Sequence, residues 1–241
     1  MKEHLSLFLA FWGLGLLTFA AEHLFPARQV KYRLVLLNDI VALAVYSVCF
    51  AIIVPFTDRI SIPDYVPAGV LKVGTLYKLL LFYIVEDLGL YWVHRLMHTQ
   101  QFWRTHKWHH YPTHMYWLAG VRASIPHIIL FNCTFVAARP LLANAPGWIF
   151  QLIAMEHIFR NNWMHMNVAW RSNWLEWLVV TPRYHQIHHS SDPQHYRSNL
   201  GSLLTVWDRL FGTYCDPNVA NRQLSFGIGE KVTVVRLVLG I

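Results

Sequence analysis

The segment HRLMHTQQFWRTHKWHH, residues 94–110, carries five histidines and no cysteine or carboxylate. It begins where a largely apolar run, Val73–Val93, ends. A helix needs about 20 apolar residues to cross a bilayer, so this junction reads as a span that releases histidine-rich chain at a membrane edge. A second segment, RYHQIHH at residues 183–189, repeats the pattern far along the chain.

The composition around these segments agrees. Of 241 residues, 55% are hydrophobic and 14% charged, against about 25% charged in an ordinary soluble domain. The mean hydropathy is positive. Five apolar stretches are candidates for spans: Leu5–Phe25, Leu34–Val54, Val73–Val93, Pro126–Leu142 and Pro146–His165. The fourth is the weakest and is compatible with a tilted or re-entrant segment. Pro55–Lys72 reads as a loop rich in Pro and Gly, and Met166–Ile241 is more polar with no spanning run. The expectation is one all-α domain over residues 1–241, an integral membrane bundle of about four to five helices. Residues 1–93 and 126–165 supply mainly membrane helices; 94–125 and 166–241 form a helical cytoplasmic cap. The first stretch is longer than a signal-peptide core and lacks a small-x-small cleavage site after it, so it reads as a retained span.

A net charge of +7 would suggest nucleic acid in a soluble protein, but here the basic residues flank apolar runs. Positive-inside placement accounts for them instead. With 28–33 set on the cytoplasmic side, three Lys/Arg there, four at 95–122 and eight from Arg160 onward fall inside, leaving five outside. All the histidine segments then meet on one cytoplasmic face. The three cysteines are far apart and show no framework.

On a helix, His94 and His98 share a face, as do members of the i, i+3, i+4 sets His106, His109, His110 and His185, His188, His189. Thr181-Pro182 is expected to open the helix bearing the last set; Asp192-Pro193 should end it. Eight imidazoles packed without a ligand would strand many ring nitrogens, at about 1–3 kcal/mol for each buried group. Metal relieves this. One ion cannot use eight such ligands, so two ions with four or five ligands each are expected. Imidazole suits Fe, Zn, Cu and Ni. No H-E-x-x-H hydrolase signature is present, and two irons fit best. Asp87, two turns before His94 with Tyr91 between, is expected to orient a ligand histidine; Glu86 has no assigned role.

The segments EDLGLYWVHRLMH, FWRTHKWHH, TPRYHQIHH and NLGSLLTVWDRLFGTY, in this order, resemble the fatty acid hydroxylase / sterol desaturase superfamily, membrane oxygenases with a histidine-rich di-iron centre. The resemblance spans Arg33 to Tyr214. It implies a ninth ligand, His165 in HIFRNNWMHMN, and a weak or indirect role for Asn161, where some members carry a second histidine. His157 is a further candidate ligand, although a histidine bonded to a core neighbour is the preferred reading. His114 is placed outside the ligand set, and His4, His23, His127 and His195 are given no role. Arg122 and Pro126 match expected positions, but the usual histidine just before the proline is missing. In the closing motif, Trp207, Leu210 and Phe211 are expected to pack the cap against the bundle, and Asp208 to pair with Arg209 or support a ligand.

The resemblance further implies O2 as cosubstrate, two Fe ions and a lipid substrate drawn from the bilayer. Electrons must come from an external donor, such as a ferredoxin or cytochrome b5-like protein. The sequence has no C-x-x-C-H haem site, and Gly13–Gly15 and Gly227–Gly229 lack the context of a dinucleotide fingerprint; helix packing and a turn explain them. Hydroxylation is the leading expectation. Desaturation on the same scaffold is the alternative, and a metal-transport or metal-binding membrane protein is the reading from a different class.

Overall fold

Backbone kept from water must satisfy its own hydrogen bonds, and apolar segments do so as helices. The computed structural model describes residues 2–58, 72–218 and 224–241. Among these, long helices form at α1 (Lys2–Leu24), α2 (Leu36–Asp58), α3 (Thr75–Met97), α5 (Ile125–Ala138) and α6 (Trp148–His165). Short ones form at α4 (Trp103–His106), α7 (Pro182–His188), α8 (Val206–Leu210) and α9 (Val234–Leu239). No strand forms among the described residues; isolated bridges such as Pro26 with Val168 tie loops together.

The described residues are therefore helical, without strands, with two differences from the sequence reading. First, only Leu36–Ile53 and Ile125–Leu142 are long and apolar enough to cross a membrane among the described residues, with a shorter apolar helix at Leu9–Leu24. Helices α3 and α6 fall short because they carry Lys78, Glu86, Asp87, Glu156 and Arg160. Second, the expected cap is mostly turns and loops. Residues 94–125 past α3 hold one four-residue helix and a 3-10 turn, Trp117–Val121. Of the expected Pro55–Lys72 loop, residues 55–58 belong to α2, and 59–71 lie outside the described residues.

Helix ends follow local chemistry. Ser124 caps α5 by accepting from the His127 backbone N–H, with Pro126 in the first turn. Thr181 caps α7 in the same way for Tyr184, with Pro182 first, as expected. Helix α3 runs a turn beyond the apolar stretch, so His94 projects from a regular helix.

Helix α1 packs on α6, α3 and α2 both pack on α5, and the Trp117–Val121 turn wedges between α1, α2 and α6. Gly15 permits the wedge: a Cβ there would lie 2.6 Å from the Trp117 ring. Gly227 and Gly229 have positive φ, the turn expected of them. One apolar cluster gathers Trp108, Tyr116, Trp117 and Val121 beside the loops. Another, Phe82, Leu142, Ile149 and Ile153, closes the opposite ends of α3, α5 and α6. Outward faces stay apolar: Leu16, Leu17, Leu37, Ile40, Ile52 and Leu80 are exposed.

Candidate metal centre

Histidines from four regions converge where α3 and α6 end. His94, His98, His106, His110 and His188 form one group; His109, His165, His185 and His189 form a second. Within each group, one ring nitrogen per residue lies within 4.8 Å of all the others. The two groups contain the nine histidines singled out from the sequence. Each group could hold one ion.

The expected face-sharing of the triplets needs correction. His106 and His110 belong to the first group while His109 belongs to the second; His185 and His189 belong to the second while His188 belongs to the first. In α7 the helical angle accounts for the split. Successive residues turn by about 100°, so relative to His185 the His189 ring lies about 40° to one side and the His188 ring about 60° to the other. Residues 107–110 are also not α-helical but follow α4 as tight turns, with His109 N–H on the His106 carbonyl at 3.0 Å.

The backbone sets the tautomers. Nδ1 of His94 lies 2.8 Å from the Leu200 carbonyl, His109 3.1 Å from that of Arg122, His165 2.7 Å from that of Asn161 and His188 2.9 Å from that of Ser198. A carbonyl only accepts, so Nδ1 is the donor in each. A neutral imidazole has one N–H, so Nε2 of these rings presents a lone pair. Yet His109 Nε2 and His165 Nε2 are 3.2 Å apart. Two lone pairs so close repel, and a shared cation removes the conflict. Protons are poor candidates for that cation: burial first, then neighbouring imidazoles, hold His109, His110, His185, His188 and His189 well below the usual histidine range. The buried Nε2 of His98 and Nδ1 of His185 have no hydrogen-bond partner. The donor set therefore fits two soft-to-borderline transition-metal ions.

The carbonyls are themselves held. Asp208 is fully buried and accepts from Leu200 N–H at 2.7 Å, Gly201 N–H at 2.8 Å, Tyr184 O–H at 3.0 Å and Thr213 O–H at 2.6 Å. It fixes the peptide whose carbonyl orients His94, which is the supporting role rather than the Arg209 pair. Arg209 instead stacks on Trp177 and Tyr214. Arg122 is ion-paired to Asp39 of α2, which also accepts from Tyr116 O–H, and its carbonyl orients His109.

Asp87 was expected to orient a histidine and does not. Its carboxylate accepts from the N–H groups of Leu203 and Leu204 and from Trp207 Nε1 at 2.8–2.9 Å. It pins the closing motif onto α3, because three donors from that loop saturate it. Phe211 packs on Tyr91 and Trp92, whereas Leu210 is 64% exposed. His157 bonds Glu86 at 3.2 Å, outside both groups, and that also gives Glu86 its partner. Asn161 acts through its backbone carbonyl on His165. Its side chain lies beside Gly120, where a Cβ would sit 2.5 Å from His165 Nδ1. His114 bonds Thr113 at the surface.

His127, given no role from the sequence, is buried with Nδ1 3.3 Å from His106 Nδ1, close enough to share a proton. The signal was present: the histidine missing before Pro126 stands just after it. His127→Phe is expected to lower metal affinity by about 10–100-fold, the usual cost of removing an outer partner of a ligand histidine. Metal titration of the purified variant checks this; unchanged affinity would remove His127 from the centre.

A family profile described as fatty acid hydroxylase matches residues 79–213. Alkylglycerol monooxygenase of Xenopus tropicalis is 29% identical over 53% of this chain and 28% of its own length. Ornithine lipid hydroxylase of Rhizobium tropici is 31% identical over 58% of this chain and 43% of its own. Delta(7)-sterol 5(6)-desaturase of Gibberella zeae is 26% identical over 57% and 42%. The matched region thus spans less than half of each of these relatives. No solved structure matches the chain.

Proposed function

Because the chain belongs to the fatty acid hydroxylase family, we propose that it is a membrane di-iron oxygenase that uses O2 to hydroxylate an unactivated carbon of a lipid. The observation that carries this reading is the two buried imidazole groups, in the second of which the Nε2 lone pairs of His109 and His165 face one another. In this reading His94, His98, His106, His110 and His188 hold one iron, and His109, His165, His185 and His189 hold the other. Bound there, two ferrous ions supply O2 activation and the oxidising power to take a hydrogen atom from carbon.

The chain's own residues do the rest. The Leu200, Ser198, Arg122 and Asn161 carbonyls keep each Nδ1 protonated and aim Nε2 inward. Trp108, wholly buried and set between His106 and His109 in sequence, helps exclude water. The exposed apolar faces of α1 and α2 support a multi-pass bundle in lipid, with the histidine centre at its cytoplasmic edge. There a lipid tail reaches the centre without leaving hydrocarbon. Hydroxylation joins one oxygen atom to the substrate carbon and reduces the other to water, consuming two electrons and two protons. A ferredoxin or cytochrome b5-like donor docking on the basic face would supply the electrons. Desaturation is retained as a second reading because a sterol desaturase is among the relatives and both reactions begin with hydrogen abstraction.

Comparative mass spectrometry of lipids from cells with and without the chain tests the proposal. A lipid class that gains one oxygen is the expected result. Loss of two hydrogens would select desaturation, and an unchanged lipid profile in a metal-loaded, reductant-supplied preparation would overturn both.

A further inference from the structure

Away from the histidines, the chain leaving α1 runs beside the chain leaving α6. Ala27 N–H bonds the Asn167 carbonyl at 3.1 Å and Ala169 N–H the Phe25 carbonyl at 2.9 Å. Between this pair and α7 lies an open cavity of about 440 Å³ whose lining includes Arg28, Arg171, Arg183, Gln186, Val168 and Trp170. That is within the size range of small-ligand sites. Its charge is unbalanced. Arg183 is neutralised by Glu176, but neither Arg28 nor Arg171 has an ion-pair partner among the described residues.

Arg28 is held in place rather than waving in solvent. Its backbone N–H bonds Asn167 Oδ1 at 3.1 Å and its carbonyl accepts from Asn167 Nδ2 at 2.6 Å. Its guanidinium donates to Gln186 Oε1 at 2.6 Å and lies over the Phe226 ring. Gln186 is locked in turn by the Met166 carbonyl at 2.7 Å. One of five guanidinium N–H groups is thus used, and the fork is pre-set for an anion. Trp170, part of the lining, is exposed, and the exposed Leu24 and Phe25 precede the lining residue Ala27 while the exposed Trp174 follows Arg171. Tryptophan beside a basic pocket at helix ends is the composition of a headgroup layer.

We propose that this cavity binds the phosphate of an anionic membrane lipid, with Arg28 and Arg171 as its cationic partners and the exposed Trp170 against the acyl chains. The recessed shape favours a small phosphate over the surface of an acidic protein. The proposal rests on the membrane placement given above but not on the oxygenase chemistry. The site is separate from the metal centre, since no histidine of either group lines it.

Native mass spectrometry of the full chain in neutral detergent tests this, with phosphatidylglycerol, diacylglycerol or inorganic phosphate added. The wild type should retain one phosphatidylglycerol and no diacylglycerol. Removing both cations in R28Q/R171Q should weaken retention at least about tenfold, while R104Q, an exposed charge elsewhere, should not. Metal content measured on the same samples reports folding and stands apart from lipid retention, so failure here is distinguishable from failure of the oxygenase reading. Equal retention by R28Q/R171Q would overturn the proposal, as would equal binding of diacylglycerol. Competition by inorganic phosphate at the lipid's own concentration would assign the site to free phosphate instead. Binding of an acidic carrier protein, lost in R28Q/R171Q without any change in lipid retention, would assign it to a protein.

Discussion

His109→Ala is expected to reduce lipid oxidation by at least about a hundredfold, more than the loss of an outer partner, while the protein still accumulates. Metal content should fall from about two ions per chain toward about one, because His109 belongs to the four-membered group and a site with three ligands and a wider opening holds its ion poorly. His188→Ala should also abolish activity, but it leaves four histidines in the first group and should retain more metal. The comparison tests the partition directly. Metal analysis of the two purified variants checks it, and wild-type activity in either would end the assignment.

Asp39→Ala is expected to have the next largest effect. Asp39 and Arg122 are ion-paired with side chains 0% and 1% exposed. Removing the carboxylate leaves a buried guanidinium and the Tyr116 hydroxyl without their acceptor, a change that costs about 3–5 kcal/mol in comparable pairs. Arg122 also donates to the Val35 carbonyl at 3.0 Å, so part of its position survives. Its carbonyl aligns His109, and metal affinity should fall along with thermal stability. The double variant Asp39→Leu/Arg122→Met should recover much of the stability, since apolar replacement of a buried pair is often neutral or better. Thermal melts of the three proteins separate these outcomes. A single variant as stable as wild type would show that the pair does not brace the centre.

Much of the centre was legible because ligand chemistry leaves a spacing signature. H-x-x-x-H and H-x-x-H-H mark rings that a helical turn brings together, and Thr181-Pro182 announced the start of α7. What stayed hidden depends on contacts between remote segments. Nothing local in NDIVAL distinguishes Asp39 from a surface carboxylate; only the packing of α2 against the Trp117–Val121 turn reveals its role. Asp87 misled because two turns of helix do align it with His94, but the donors of the closing motif reach it first. The expected assignment of each triplet to one face failed because the i+3 and i+4 rings diverge to opposite sides of the i ring in α7 and because residues 107–110 are turns, not helix. The cap was overestimated as helical for a related reason. Its segments are fixed by side chains such as Asp87, Asp208 and Asn199 grasping loop backbone, not by periodic burial.

Two dipeptides, His109-His110 and His188-His189, each send one ring to either group. They act as cross-braces. The spacing of the two groups is thereby gauged by single peptide units, the stiffest link a chain has. If the proposed ions are bound, a loop rearrangement that shifts one would drag the other, and the centre would behave as one rigid body whose two positions keep a fixed span.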